Sequence, residues 1–524
     1  MARLSRPAFF IPVCIALGLA FDQLFWDQRW GFSFTLFISL LLAAGLWLAA
    51  QLRLHAARRS WPLALAAFGF AAVSSFLTEE YTLLFTRGFA LLLLLLFAAD
   101  FLAGDWLNYR FSDFAVKLAS LLPAGWLASA ELKPAARRGK AVPRPWAAWL
   151  RGVLLALPVV FVLGALLASA DSYFAEGLQQ TFSFLRIERL PEYLFRLVLV
   201  GLVAILVYGA YHYAFLRSQH GAAKTGPLKP FIGFTEAGVV LASVALLLAA
   251  FVVVQFRYFF GGAENVLGSL STATYAEYAR RGFAELCLVA ALVLALFVLL
   301  SSLTRRSTRQ QGYFSALGVL LLALIAVVLV SAFQRLQLYE AAYGFTSMRL
   351  LPHLFMIWLG LLLLALVILE LSGRQRWFAA TVLLAACGFV ASLPVVNLDA
   401  FTTRANIAHG LQADSSSTRH AVDYAHLAGL SPDALPALVE GYYTQRAAGN
   451  QALADQLAVA IACNAYFEDG YGQSWREWTL SRQRAAAAWQ QVSAEPGFPS
   501  VFARQSDGQV LAQQAGQTFS CYAP

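Results

Sequence analysis

Residues 314–332 read FSALGVLLLALIAVVLVSA, an apolar run with no ionisable side chain, and Arg305, Arg306 and Arg309 stand just before it. At about 1.5 Å per helical residue, such a run nearly matches a bilayer hydrocarbon core of roughly 30 Å. The same pattern recurs at 8–25, 32–50, 61–77, 84–104, 149–170, 193–215, 231–251, 283–300, 350–369 and 378–395. Together these predict about eleven membrane spans. Composition agrees: the 524 residues are 60% hydrophobic and only 13% charged, whereas a soluble domain carries about 25% charged residues. The net charge of +9 lies in short loops between apolar runs, so it reads as membrane topology and not as a nucleic-acid-binding stripe.

The loop charges alternate. One side carries Arg53, Arg58 and Arg59, then Lys133, Arg137, Arg138 and Lys140. It continues with Arg217, Lys224 and Lys229, then Arg305, Arg306 and Arg309, and last Arg374 and Arg376. Lysine and arginine in short loops mark the cytoplasmic face. In a bacterial inner membrane, this places the N-terminus in the cytoplasm and, after an odd number of crossings, the tail in the periplasm. A further stretch, 111–130, contains Asp113, Lys117 and Pro123; it reads as an interfacial or tilted amphipathic helix, since a twelfth crossing would break the alternation. Arg3 and Arg6 precede an apolar run, but Phe21-Asp22-Gln23 offers no small-residue cleavage site, so the first segment reads as a retained helix.

At Asn397 the chain changes character. Residues 397–524 hold seven arginines, no lysine and eleven acidic residues, a net of −4 against +13 for the rest. The expected fold is all-α: a polytopic transmembrane bundle over 1–396 and a small, mainly helical extramembrane domain over 397–524. Ser431 and Pro432 read as a capped helical start, and 447–467 and 475–492 have alanine-rich helical pattern. Cys463 and Cys521 both lie in the tail, where an oxidising periplasm permits a bridge, although sequence leaves their separation open. Cys14, Cys287 and Cys387 fall in membrane segments and read as small apolar packers.

Three outer helix boundaries share aromatic, carboxylate and arginine content. They run Glu80-Tyr81 to Arg87, Tyr275-Ala276-Glu277-Tyr278 to Arg281, and Tyr339-Glu340 to Arg349. One reading makes them interfacial anchors. The other has Glu80, Arg87, Glu277, Arg281, Glu340 and Arg349 converge on a polar outer cleft, together with Glu285. Arg87 and Glu285 lie in or near apolar spans, where an ionisable side chain usually faces a partner or cavity. Arginine forks suit carboxylate or phosphate. His353, beside Pro352, reads as a packed histidine before a proton relay. No histidine or cysteine set has metal-ligand spacing and no phosphate-binding loop occurs, so neither metal nor cofactor is expected.

The most polar string at a membrane exit is Asn397-Leu398-Asp399-Ala400-Phe401-Thr402-Thr403-Arg404-Ala405-Asn406. Asn397 or Asp399 can cap a new helix with Arg404 and Asn406 on its next turns, making either a capped hinge or a binding lip. This string resembles bacterial multi-pass inner-membrane proteins of domain-of-unknown-function family 4173, related to 4153. So do Asp423-Tyr424-x-x-Leu427, Leu430-Ser431-x-Asp433-Ala434-x-Pro436-Ala437-Leu438, Ser474-Trp475-Arg476-Glu477-Trp478 with Arg482, and the 275–283 motif. The resemblance covers most of the chain after about Ala148 and departs at Leu398, where proline is expected. It implies an inner-membrane protein without an assigned reaction.

Three functions fit this architecture. The first is an envelope protein that senses, scaffolds or binds a partner through its outer face. The second is a lipid-linked glycosyl or phosphoryl transferase with an outward site, for which Asp22, Asp27, Glu79 and Glu80 are candidate groups. The third is a transporter using Glu285 and Arg87. Expected partners are membrane lipids, with an envelope protein or an anionic lipid-linked ligand as candidates, and no nucleic acid.

Overall fold

The computed structural model describes residues 10–121, 190–218, 231–259, 283–410, 424–469, 474–503, 510–514 and 517–521. Among them run α1 (Phe10–Phe25), α2 (Phe32–Gln51), α3 (Trp61–Val73), α4 (Glu80–Asp100), α5 (Phe111–Leu121), α6 (Leu190–Leu216), α7 (Phe234–Phe259) and α8 (Phe283–Leu303). Then come α9 (Thr308–Tyr343), α10 (Ser347–Leu371), α11 (Phe378–Val396), α12 (Leu398–Gly410), α13 (Tyr424–Ala428), α14 (Leu435–Ala447), α15 (Gln451–Asp469) and α16 (Leu480–Ser493). Three strands close the chain: β1 (Ser500–Ala503), β2 (Val510–Gln514) and β3 (Gln517–Cys521).

Eight of the described helices are long and apolar enough to cross a membrane: α2, α4 and α6–α11. The expected eleven is therefore narrowed. Of the other three segments, α1 and α3 form shorter helices of 16 and 13 residues, and 149–170 lies outside the described residues. The first half of the expected amphipathic stretch is α5, and its remainder lies outside them too.

The described residues fall in two compact units, one made of those within 1–26 and 121–213, the other of those within 27–120 and 214–524. In the first, α1 and the start of α6 are joined by polar groups that lipid cannot solvate. Arg196 donates from Nε to Asp22 Oδ1 at 2.9 Å and from Nη2 to Oδ2 at 2.6 Å, and Trp26 Nε1 donates to Glu192 at 2.9 Å. A charge pair of this kind is the affordable way to keep ionised groups beside an apolar span.

In the second unit, the described loops rich in basic residues gather at one end. At one end Ala57 N–H donates to Phe101 O at 2.7 Å, Trp106 Nε1 donates to Arg59 O at 2.7 Å, and Ser60 Oγ donates to Asp100 Oδ2 at 2.9 Å. The short turns Trp106–Asn108 and Gln375–Trp377 adjoin there. Gln375 Nε2 and Ser315 Oγ both donate to Glu370 at 2.6 Å, which brings the basic loops around Arg306 and Arg374 to the same end. The core of α7–α11 is aliphatic and aromatic, with Leu241, Phe297, Phe314, Leu321, Ile325, Leu336, Met356 and Leu366 all buried. Lipid tails are as apolar as leucine, so this core holds by close packing more than by exclusion of water.

The tail has its own core. α15 is buried over most of its length, Ala454, Leu457, Val459, Ile461 and Cys463 being fully enclosed by α13, α14, α16 and the strands. The strands form an antiparallel sheet in the order β1-β2-β3, with Ala512 opposite Phe519 and Val510 opposite Cys521. The described part of the tail is mainly helical, and this small sheet is an addition to the expected all-α fold. Its strands are four or five residues long, and glutamine and alanine occupy positions where strand formers would have signalled it. Cys463 and Cys521 are bridged, with Cα atoms 5.5 Å apart, pinning β3 to α15. Ser431 does not cap a helix by its side chain. Pro432 opens a short 3-10 turn, and Ser431 Oγ donates to Asp433 at 3.3 Å.

Candidate functional site

The tail meets the bundle at the end opposite the basic loops, and the joint is built from α12. Asn397 has φ of 52°, the left-handed conformation that ends α11, and its N–H reaches back to Leu393 O at 3.1 Å. Its side-chain Oδ1 then accepts the N–H of Ala400 at 3.3 Å. One asparagine thus closes one helix and caps the next.

Asp399, 4% exposed, lies in the first turn of α12. Its Oδ1 accepts from Ser347 Oγ at 2.6 Å and its Oδ2 from the backbone of Ser431 at 2.9 Å, tying α12 to α10 and to the tail. Two turns on, Asn406 takes both backbone groups of Phe345: Oδ1 accepts its N–H at 2.7 Å and Nδ2 donates to its carbonyl at 2.8 Å. Gly344 makes room for this clamp. Its φ is +74°, and an added Cβ would stand 2.8 Å from Asn406 Oδ1. Arg349 donates to Gly344 O at 2.6 Å and lies over the Tyr339 ring at 4.4 Å, so the α9–α10 turn is held from both sides.

The loop between α3 and α4 docks on the other flank. Asp433 Oδ2 accepts from Thr78 N at 2.7 Å, Thr78 Oγ1 at 2.9 Å and Glu79 N at 2.8 Å. Glu79 caps α4 with both carboxylate oxygens, accepting from Tyr81 N at 2.9 Å and Thr82 N at 2.7 Å. Burial pushes the Glu79 carboxyl above the ordinary carboxylate range. The bonds from Thr82 and Tyr81 pull against that shift, and the charge of Asp399 adds to it. Backbone pairs extend the seam: Leu480 N to Ser75 O at 2.9 Å, Ser481 N to Phe76 O at 3.0 Å and Phe32 N to Trp478 O at 3.1 Å.

Beside this seam opens a cleft of about 240 Å³. Phe76, Leu77, Val395, Val396, Ala400, Pro436 and Ala437 line it with apolar groups, and Asn397, Arg404, Asp433, Ser481 and Arg484 with polar ones.

The sequence candidates distribute as follows. Asp399, Asn406, Arg349 and Glu340 gather around the α9–α10 turn, where Glu340 pairs with His353 at 3.0 Å and both are buried. Arg404 lies at the cleft and reaches Glu440 at 3.4 Å. Arg87 braces the loop before α2, donating to Ser74 Oγ at 3.0 Å and to Trp30 O, with the Trp30 and Phe34 rings beneath it. Glu80 and Glu285 are exposed in the first turns of α4 and α8. Glu277 and Arg281 lie outside the described residues. Asp433, Ser347 and Arg484 were not legible as site residues, and Glu79 only as a loop carboxylate. Asp433 looked like part of a helix start, and no spacing relates it to Thr78. Among the described residues no group of three or more His, Cys, Asp or Glu side chains could hold a metal ion.

The family model described as Domain of unknown function (DUF4153) matches residues 10–441, and the chain belongs to that family. This is the relative named beside 4173 in the resemblance drawn from the junction motifs. A bacterial multi-pass inner-membrane protein is the corresponding description. The match includes the bundle, α12 and the turn that carries Asp433, and it ends before α15, the disulfide and the sheet. No curated protein and no solved structure matches the chain.

Proposed function

We propose that this DUF4153 member is an envelope scaffold: an eleven-span inner-membrane bundle with a cytoplasmic N-terminus that presents its C-terminal domain to the periplasm as a fixed platform for a protein partner. The observation that carries this reading is the commitment of the seam carboxylates. The described bonds of Asp433, Asp399 and Glu79 all run to hydroxyl or backbone N–H donors that hold the seam or cap a helix beside it. An acid or base for transfer chemistry needs a carboxylate oxygen aimed at a reacting group; these oxygens are aimed at structural donors. What the domain offers outward is contact surface.

Two observations support the assignment of sides. The tail is bridged by Cys463–Cys521, which suits an oxidising compartment. It also adjoins the ends of α2, α4 and α10 remote from the arginine-rich loops.

The test is site-specific photo-crosslinking in intact cells, with benzoylphenylalanine at the exposed positions Thr444, Gln483 and Gln490. A scaffold gives one discrete protein adduct, identified by mass spectrometry, at one or more positions. Lipid adducts alone, or no adduct at any position, would overturn the reading.

A further inference from the structure

We propose that the cleft between α11, α12 and α16 holds the phosphate headgroup of an anionic membrane lipid, with Arg404 and Arg484 as its cationic jaws. The inference goes beyond the scaffold reading and does not depend on it.

Position comes first. α11 is a membrane-spanning helix that ends at Val396, and Val395 in its last turn is 85% exposed. A valine so bare at the end of a span faces acyl chains, and Phe76 beside it is 53% exposed. The cleft mouth therefore opens at the depth where headgroups begin. The ends of the spans contribute only apolar lining, from Phe76, Leu77, Val395 and Val396, while every polar lining group comes from beyond Val396, the polarity order of a lipid molecule.

Charge comes second. Arg484 is exposed, lines the cleft and makes no hydrogen bond or ion pair among the described residues. Arg404 reaches Glu440 only at 3.4 Å, with both side chains more than 60% exposed. A surface pair this long and this wet contributes little, so Arg404 can turn to a better acceptor. The one carboxylate lining the cleft is Asp433, and Thr78, Glu79 and Ser431 already donate to its Oδ2. That leaves two guanidinium groups, the Asn397 amide and the Ser481 hydroxyl facing one opening. Guanidinium forks bind phosphate oxygens through paired charge-assisted bonds. The acyl chains would lie along Phe76 and Val395.

The experiment uses the full-length protein in detergent micelles doped with either dioleoyl-phosphatidylglycerol or dioleoyl-phosphatidylcholine, read by native mass spectrometry. The wild type should retain one tightly held phosphatidylglycerol and no counterpart from phosphatidylcholine. R404Q/R484Q should retain it about tenfold less, the scale of losing charge-assisted bonds, while R404K/R484K keeps a larger share. R476Q removes a half-buried arginine elsewhere on the tail, away from the cleft lining, and should change nothing. Excess inorganic phosphate should leave the lipid bound. Equal retention by R404Q/R484Q, an equal loss in R476Q, or displacement by inorganic phosphate alone would each overturn the proposal. If the double variant fails to fold, R484Q alone removes a side chain without described bonds and should weaken retention at least about threefold; unchanged retention there overturns it as well.

Discussion

Asp433 Oδ2 accepts the backbone N–H of Glu79 at 2.8 Å, across a sequence separation of 354 residues. The bond joins the 3-10 turn before α14 to the cap of α4, and Thr78 supplies two more donors to the same oxygen. A buried carboxylate with this many donors is a lock: removing it takes the acceptor from the backbone N–H groups of Thr78 and Glu79.

Asp433→Asn is therefore expected to weaken the seam by about 2 kcal/mol, some thirtyfold in local opening, whereas Thr78→Val should lose about 1 kcal/mol because the backbone bonds remain. Limited proteolysis of the full-length protein at low protease concentration reads the difference. Equal cleavage of wild type and Asp433→Asn would remove the lock.

The Glu79 carboxyl sits above its ordinary range in the folded protein because of burial and the charge of Asp399. The folded state then holds its proton at a pH where the unfolded chain has released it. Stability from this group rises as pH falls from neutral through the raised folded value towards the ordinary one, and is lost on the way back up. Thermal unfolding between about pH 7.5 and pH 5 should show that slope. Glu79→Gln should flatten it, at a baseline cost of about 1 kcal/mol, since an amide can accept only one of the two capping bonds.

The bridge between Cys463 and Cys521 closes a loop with a sequence separation of 58. By chain entropy it contributes about 4 kcal/mol. Cys463→Ser with Cys521→Ser should release the sheet from α15 and lower the denaturant midpoint of the tail. Maleimide labelling of the denatured wild type should find Cys14, Cys287 and Cys387 reactive before reduction and two further thiols only after it.

Asn406 and Gly344 should behave as one element. Asn406→Ala leaves the N–H and carbonyl of Phe345 unmatched, costing about 2 kcal/mol. Gly344→Ala forces a Cβ onto a positive φ and towards Asn406 Oδ1, costing about 1–3 kcal/mol. Because both act by unseating the same clamp, the double variant should cost less than the sum. A strictly additive result in equilibrium unfolding would show that they act separately.

The bundle was legible because a lipid solvent imposes a rule on every residue of a span: long apolar runs such as 314–332 and arginine-rich loops such as Arg305–Arg306 report it directly. The joint was legible in part. Asn397, Asp399, Arg404 and Asn406 stand in one short string with capping chemistry, and the structure places all four at the seam. Asp433 and Thr78 were not, since a contact between distant loops leaves no periodicity. The sheet escaped for a related reason: Gln513, Gln514 and Gln517 hold their register through neighbouring strands, a tertiary cause that local pattern does not carry.

Asn397 ends the last span and caps α12 with no intervening residue, so the connection has no slack and behaves as a crank. A bilayer that thins tilts its longer helices, and a tilt of α11 must then swing the tail through the same angle. A spin label at Gln490, read against lipids spin-labelled at the headgroup, would report that swing as a distance from the headgroup plane that keeps step with lipid chain length. A distance indifferent to chain length would mean that the tail rides the membrane without gauging it.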